Sequence, residues 1–226
     1  MIIGIIAAMT SEIKNIISSL EDKKQHIICN VEIYEGIIGN HKVIVSLSGI
    51  GKVNSAINTT LLISHFNPDI VINSGIAGGS KELKTADLVI ADKLTYSDFD
   101  CQVFNYEFGQ VPGMPTYYYS DEKIKSLLEQ YLTLNNIQFK NSSVLTADSF
   151  RLSASEIKNK IATSFATEME GTSIAQVCYK LKTPFLSFRI ISDILDSENH
   201  IEEYNEFEER CAKLSSDIIV NFIKTI

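Results

Sequence analysis

Arginine is almost missing from this chain: Arg151, Arg189 and Arg210 are the only ones, so the first 150 residues carry no guanidinium. Clusters of metal ligands are missing as well. The four cysteines, Cys29, Cys101, Cys178 and Cys211, stand far apart, with no close pair of the kind that holds zinc or does dithiol chemistry; they read as reduced, mostly buried thiols. The four histidines, His26, His41, His65 and His200, are equally scattered, so spacing supports no metal site. No apolar run approaches the ~18 residues that would span a membrane. A net charge of -8 argues against a long basic surface for phosphate neutralisation, so nucleic acid is not an expected partner, and with no spanning run neither is a membrane. The apolar opening, residues 1–9, has no basic residue ahead of it and runs straight into Thr10-Ser11-Glu12. That is a buried first strand rather than a secretory leader, and it points to the cytoplasm.

What is present describes one packed domain. A chain of 226 residues with 45% hydrophobic content can bury a sizeable core, and it shows no internal repeat, linker or low-complexity tract, so 1–226 reads as a single unit. Residues 2–8 form a continuous apolar run, the pattern of a strand buried on both faces; Ile13, Ile16, Ile17 and Leu20 then fall on one helical face. Residues 31–38 and 43–47 flank the turn Gly39-Asn40-His41-Lys42 and predict a hairpin. The loop Ser48-Gly49-Ile50-Gly51-Lys52 leads into a helix. A buried strand at 69–73 opens onto a glycine-rich loop, Gly75 to Gly79, and another strand is expected at 87–94. The connection 96–115 is long, aromatic and rich in turn residues, which suggests a functional loop or an interface. Helices at 121–134 and 153–161, strands at 143–147 and 184–191, and a closing helix carrying Phe207, Cys211, Leu214, Ile218 and Phe222 complete the pattern. Alternating strands and helices with one hairpin predict an α/β fold: three layers, α/β/α, around a central mixed sheet.

The segment Ala166-Thr167-Glu168-Met169-Glu170-Gly171 places two carboxylates where a strand-like run hands over to a helix. Glu12, the Gly75 to Gly79 loop, Glu170 and Asp193 share one expected property: each lies just past the end of a core strand. In an open α/β sheet the carboxyl ends of the strands form the ligand crevice, so these residues converge there. Helix capping or dipole pairing explains any one of the acids alone. It does not explain three of them with a glycine-rich stretch at one edge. Gly49-Ile50-Gly51-Lys52 is not a phosphate loop, since Ser46 stands at the first glycine position and Val53 at the Ser/Thr position; the spacing of Gly75 to Gly79 does not fit the dinucleotide fingerprint either.

Six blocks in order resemble the 5'-methylthioadenosine/S-adenosylhomocysteine nucleosidases of the nucleoside phosphorylase superfamily. They are Gly4-Ile5-Ile6-Ala7-Ala8-Met9 with Glu12, Ser48-Gly49-Ile50-Gly51-Lys52-Val53, Ser74-Gly75-Ile76-Ala77-Gly78-Gly79, Tyr106-Glu107-Phe108-Gly109-Gln110, Glu168-Met169-Glu170 and Arg189-Ile190-Ile191-Ser192-Asp193. The resemblance covers essentially the whole chain and implies a nucleoside phosphorylase-like fold. It implies hydrolysis of the bond between adenine and a 5'-thio-substituted ribose, without cofactor or metal. Methylthioadenosine, S-adenosylhomocysteine, 5'-deoxyadenosine and 6-amino-6-deoxyfutalosine are all candidate substrates, which the sequence does not rank. By the same resemblance Asp193 is the general acid toward N7 of adenine, Glu12 activates water, and Glu170 binds the ribose hydroxyls and faces the developing cation, with Arg189 orienting it. For Asp193 to hold a proton near neutral pH, its pKa must be raised by burial and neighbouring acids. Substrate contacts fall to Ala8, Met9, Ile50, Ile76, Ala77, Gly78, Met169 and Ser192; Phe150 matches the aromatic under adenine, the Arg151 backbone reads the base edge, and Tyr204 lies near the sugar. Cys101, Phe104, Tyr106 and Pro112 are implied to reach the neighbouring subunit's site, hence a homodimer.

Three departures stand out. Ile76 replaces a serine that supports the acid in many members, leaving Ser74, Ser192 or water for that task; Arg151 replaces an apolar residue; Thr10 and Ser11 replace acidic ones. Two rivals share the scaffold. A phosphorylase would meet phosphate with arginines from N-terminal loops, which this chain lacks, and Glu12 would repel the anion. A non-catalytic purine-binding protein would have no need of Glu12, Glu170 and Asp193 together.

Overall fold

The computed structural model describes residues 1–157, 164–198 and 200–226. Strand β1 (Ile2–Ala7) passes to helix α1 (Thr10–Ser18), and β2 (Glu21–Ile28), β3 (Val31–Ile38) and β4 (His41–Leu47) follow as a meander. Helix α2 (Lys52–Phe66) leads to β5 (Ile70–Gly79) and β6 (Leu88–Tyr96); after a long connection come α3 (Glu122–Leu134) and β7 (Phe139–Thr146). The chain finishes with β8 (Phe165–Glu168), α4 (Gly171–Leu181), β9 (Phe185–Ile194) and α5 (His200–Ile223).

The nine strands form one mixed sheet in the order β2-β3-β4-β1-β5-β8-β7-β6-β9, and β9 also pairs with β5. The second half of the sheet therefore closes on itself. Period-2 alternation divides each central strand between two apolar layers. Ile3, Ile5, Ile70 and Ile72 face Ile13 and Ile16 of α1, the α3 residues Leu128 and Leu132, and Ile219 and Phe222 of α5. Ile6 and Val71 join Leu62 of α2 and Ile174 of α4 on the other side. The three-layer expectation holds for this reason: central strands apolar at every position have two faces to cover.

Three local expectations change. The glycine-rich stretch is not a loop. Strand β5 continues through it to Gly79, and β9 runs past Ile191 to Ile194, because the two strands keep pairing in parallel: Gly75 opposite Arg189, Ile76 opposite Ile190, Ala77 opposite Ile191. The register then shifts to Gly78 opposite Asp193, leaving Ser192 as the extra residue of a bulge that re-aims the strand end. Strand β2 was not expected, since Glu21–Ile28 is charged and largely exposed; it is an edge strand held by β3 alone. The helix expected over 153–161 is a 3-10 turn at Ala154–Glu156, and residues 158–161 lie outside the described ones.

Candidate active site

Glu12 sits at the third position of α1, where the helix dipole favours an acid, and its carboxylate folds back over the end of β1. Oε2 accepts the backbone N–H groups of Ala8 at 2.9 Å and Met9 at 3.0 Å; Oε1 accepts that of Ile76 at 2.9 Å. With 2% exposure, burial raises the carboxyl above its usual range, while Arg189 and these three donors oppose the rise. Every backbone neighbour bonded to Glu12 is a donor, so an acceptor-only carboxylate satisfies them all. Among the described residues these donors fill three of its roughly four lone pairs, leaving one on Oε1 to take a proton.

Gly75 makes this arrangement possible. A Cβ there would overlap Glu12 Oε1 and stand 2.5 Å from Arg189 Nη1. Gly75→Ala is expected to displace both side chains, at a cost of about 1–3 kcal/mol in stability and more than tenfold in turnover. Thermal denaturation and steady-state kinetics check this; unchanged turnover would show that the close approach is not needed.

Glu170 occupies the N-cap position of α4, just beyond the end of β8. Its Oε1 accepts the N–H of Gly51 at 2.9 Å, which crosses from the start of α2. Gly51 holds φ at 102°, a left-handed value that suits glycine and turns this N–H toward the site. Burial, with the charge of Glu168 adding to it, pushes the Glu170 carboxyl up to about 8, against Arg189 and the Gly51 donor.

Arg189 is 1% exposed and pairs not with Glu170 but with Glu168: Nη2 reaches Glu168 Oε2 and Asn73 Oδ1, each at 2.5 Å. Glu168 therefore stands between Arg189 and the Glu170 backbone, bonded to both. Glu168 Oε2 also accepts the N–H groups of Glu170 at 2.9 Å and Gly171 at 2.6 Å, and its Oε1 accepts Thr146 Oγ1.

Asp193, 1% exposed on the bulged end of β9, accepts the Ser192 hydroxyl on Oδ1. Its Oδ2 lies beside Gly78, where a Cβ would stand 2.9 Å away. Of the hydroxyls the sequence offers in place of a serine at 76, Ser192 contacts Asp193, while Ser74 Oγ is buried without a partner among the described residues.

These acids share one cavity with Ala8, Met9, Ile50, Ile76, Ala77, Gly78, Met169, Ser192, Phe150 and Tyr204. The Phe150 and Tyr204 rings meet edge to face at 5.2 Å, and the Tyr204 hydroxyl donates to Met9 Sδ at 3.7 Å. Burial pushes the Tyr204 phenol up to about 12, so it remains a donor. Arg189 stands behind the cavity wall, and Arg151 turns Nη2 toward the Ser97 carbonyl at 3.5 Å. Cys101, Phe104, Tyr106 and Pro112 do not line this cavity; Phe104 is 71% exposed on the 97–117 connection. The sequence singled out Glu168 without giving it a role, and it gave no role to Thr167, which also lines the cavity, or to Gly51. One signal was available: a buried arginine in the last strand needs a carboxylate partner, and two acids were on offer in Glu168-Met169-Glu170.

The comparisons with known proteins agree along the full length. The phosphorylase superfamily matches residues 2–224. A 5'-methylthioadenosine/S-adenosylhomocysteine nucleosidase of Bacillus velezensis is 41% identical over 229 aligned positions, covering 99% of each chain. Among solved structures, the S-adenosylhomocysteine nucleosidase of Streptococcus pyogenes in complex with 5-methylthiotubericidin superposes with a TM-score of 0.92 at 32% identity, covering 100% of this chain and 97% of that one. The Neisseria meningitidis nucleosidase with methylthio-immucillin-A gives 0.91 at 31%, covering 100% and 99%. The chain belongs to the 5'-methylthioadenosine/S-adenosylhomocysteine nucleosidases, within the phosphorylase superfamily.

Proposed function

We propose that the chain hydrolyses the N-glycosidic bond of 5'-methylthioadenosine and S-adenosylhomocysteine, releasing adenine and the 5-thio-substituted ribose. The observation that carries this reading is a buried carboxylate, Glu12, held by three backbone donors with one lone pair open, in the same cavity as Asp193 and Glu170. Such a group suits proton abstraction from water. As water oxygen bonds to the anomeric carbon, its proton passes to Glu12; the bond to N9 breaks, its electron pair leaves with adenine, and Asp193 gives a proton to N7. Glu170 binds the ribose hydroxyls and faces the oxocarbenium-like sugar, a division of labour like that of glycosidases. Phe150 stacks on the base, with Met169 against the sugar. Relatives crystallised with 5-methylthiotubericidin, methylthio-immucillin-A and adenine support the nucleosidase reading.

Phosphorolysis fits less well. Neither Lys nor Arg is among the described residues lining the cavity, and four carboxylates there, Glu12, Glu168, Glu170 and Asp193, oppose a doubly charged nucleophile. Incubation with methylthioadenosine, with and without phosphate, decides the matter. Free 5-methylthioribose at a phosphate-independent rate supports hydrolysis; strict phosphate dependence with a sugar 1-phosphate overturns it. 5'-Deoxyadenosine and 6-amino-6-deoxyfutalosine, assayed alongside, extend the substrate range.

The assembly is proposed to be a homodimer formed on α2 and α4. Val53 and Ile57 of α2 and Leu181 of α4 are exposed along a groove of about 460 Å3, continuous with Lys52 and Tyr96 near the exposed 97–117 connection that carries Phe104. Covering these apolar side chains is favourable by ~25 cal/mol per Å2. Ile57→Asp, with no contact to the cavity, is expected to give a monomer by light scattering and to raise KM at least tenfold through loss of the partner's loop. A fully active monomer would contradict both claims.

A further inference from the structure

One buried charge is left over when the reaction has been assigned. Glu168 lines the cavity wall with its side chain 2% exposed, and every contact it makes is to a group that serves a neighbour. Oε2 gathers Arg189 Nη2 and the N–H groups of Glu170 and Gly171; Oε1 takes the Thr146 hydroxyl, which also lies 2.7 Å from Thr172 Oγ1. A helix start needs acceptors for its first N–H groups, and a neutral side chain would suffice for that. A carboxylate is required only because Arg189 is there, buried, with Nε lacking any partner among the described residues.

We propose that Glu168 is a positioning residue for the hydrolysis: it fixes the Glu170–Gly171 backbone and neutralises Arg189, so that the Glu170 side chain stays on the Gly51 N–H and open to the ribose. Without the Glu168 charge, Arg189 is drawn to the next carboxylates within its field, Glu170 and Glu12, both of which it already influences. Capture of either one takes it off the reaction. The proposal rests on the nucleosidase reading for its kinetic consequence, and on the contacts alone for its effect on ionisation.

The groups facing Glu170 are Glu168 of β8, Arg189 of β9, Glu12 of α1 and the Gly51 N–H ahead of α2; Tyr204 of α5 is close enough to sense its charge. The sign follows. Glu168 raises the Glu170 carboxyl and Arg189 lowers it. Glu168→Gln keeps the shape and an acceptor for the backbone N–H groups, removes the first influence and leaves the second unopposed. Ionisation of Glu170 therefore moves to lower pH. A carboxyl at about 8 when folded, against an ordinary 4.5, stabilises the fold fully below 4.5, and that contribution declines as pH rises toward 8.

Two measurements on Glu168→Gln test this. The acid limb of kcat/KM for methylthioadenosine is expected to move down by at least one pH unit, with kcat/KM at its optimum reduced at least tenfold. The fall of the thermal midpoint between pH 5 and 8 is expected to be shallower than in the unmodified protein, a readout that needs no activity. Glu168→Asp keeps the charge and is expected to restore the limb while leaving the rate low. An acid limb and a midpoint slope both unmoved in Glu168→Gln would overturn the proposal, since a merely structural role lowers stability without shifting either. If Glu168→Gln does not fold, Glu168→Asp with kcat/KM within twofold of the unmodified enzyme overturns it instead. An unmodified enzyme that releases no adenine would sink the nucleosidase reading alone, and the midpoint slope would still decide the role of Glu168.

Discussion

Asp193→Asn is expected to lower kcat for methylthioadenosine by about 10³, within the range of a lost general acid, while KM stays within a few-fold. Asparagine keeps the shape of the side chain and an oxygen for the Ser192 hydroxyl on the bulged end of β9. What it lacks is a proton to give. Adenine is a poor leaving group unless N7 is protonated, so the defect should depend on the leaving group. A 5-thioriboside of p-nitrophenol, which departs without protonation, is expected to be cleaved by Asp193→Asn at close to the rate of the unmodified enzyme. Equal loss on both substrates would mean that Asp193 acts elsewhere than on the departing base.

Glu12→Gln is expected to cost as much, about 10³ in kcat as a lost general base, but on both substrates alike, because each needs an activated water. The stability effect is argued separately. Three N–H groups converge on the carboxylate, so the amide NH2 must face at least one donor; the least costly orientation keeps the carbonyl toward Ala8 and Met9 and turns NH2 to Ile76. An unsatisfied donor costs about 1–3 kcal/mol. Removing a buried charge offsets part of this, since burial is the main influence on Glu12. The thermal midpoint should therefore shift by less than about 5 °C, at ~2–4 °C per kcal/mol for a chain of this size. Activity within tenfold of the unmodified enzyme would remove Glu12 from the water-activating role. Loss on the adenine substrate alone would mean the two acids had been assigned to the wrong steps.

Much of this was legible in the residues. Continuous apolar runs gave β1 and the first half of β5, helical spacing gave α1 and α5, and the order of blocks gave the family. Glu12, Glu170 and Asp193 were identifiable as a group because each acid lies at or just past the end of a core strand, where such ends share one crevice. The scarcity of arginine weighed against phosphate as nucleophile before any geometry was known. These signals are local: each depends on residue type and on spacing along a few turns or a single strand.

Other features depended on partners distant in sequence. Gly75 to Gly79 reads as a loop by composition, and only the β9 ladder makes it a strand, with Ser192 displaced into a bulge. Glu21–Ile28 has no apolar alternation and becomes β2 because β3 offers it a free edge. Arg189 could have paired with either acid of Glu168-Met169-Glu170. The choice falls on Glu168 because the end of β8 turns that carboxylate inward, toward Arg189 and the Glu170 and Gly171 N–H groups, while Glu170, two residues on at the N-cap position of α4, meets Gly51. The sequence by itself determined which chemical groups the protein possesses and roughly which edge of the sheet they share. Tertiary structure decided which of them bond to one another, since pairing between buried charges follows from distance and side-chain direction, and neither is written in spacing along the chain.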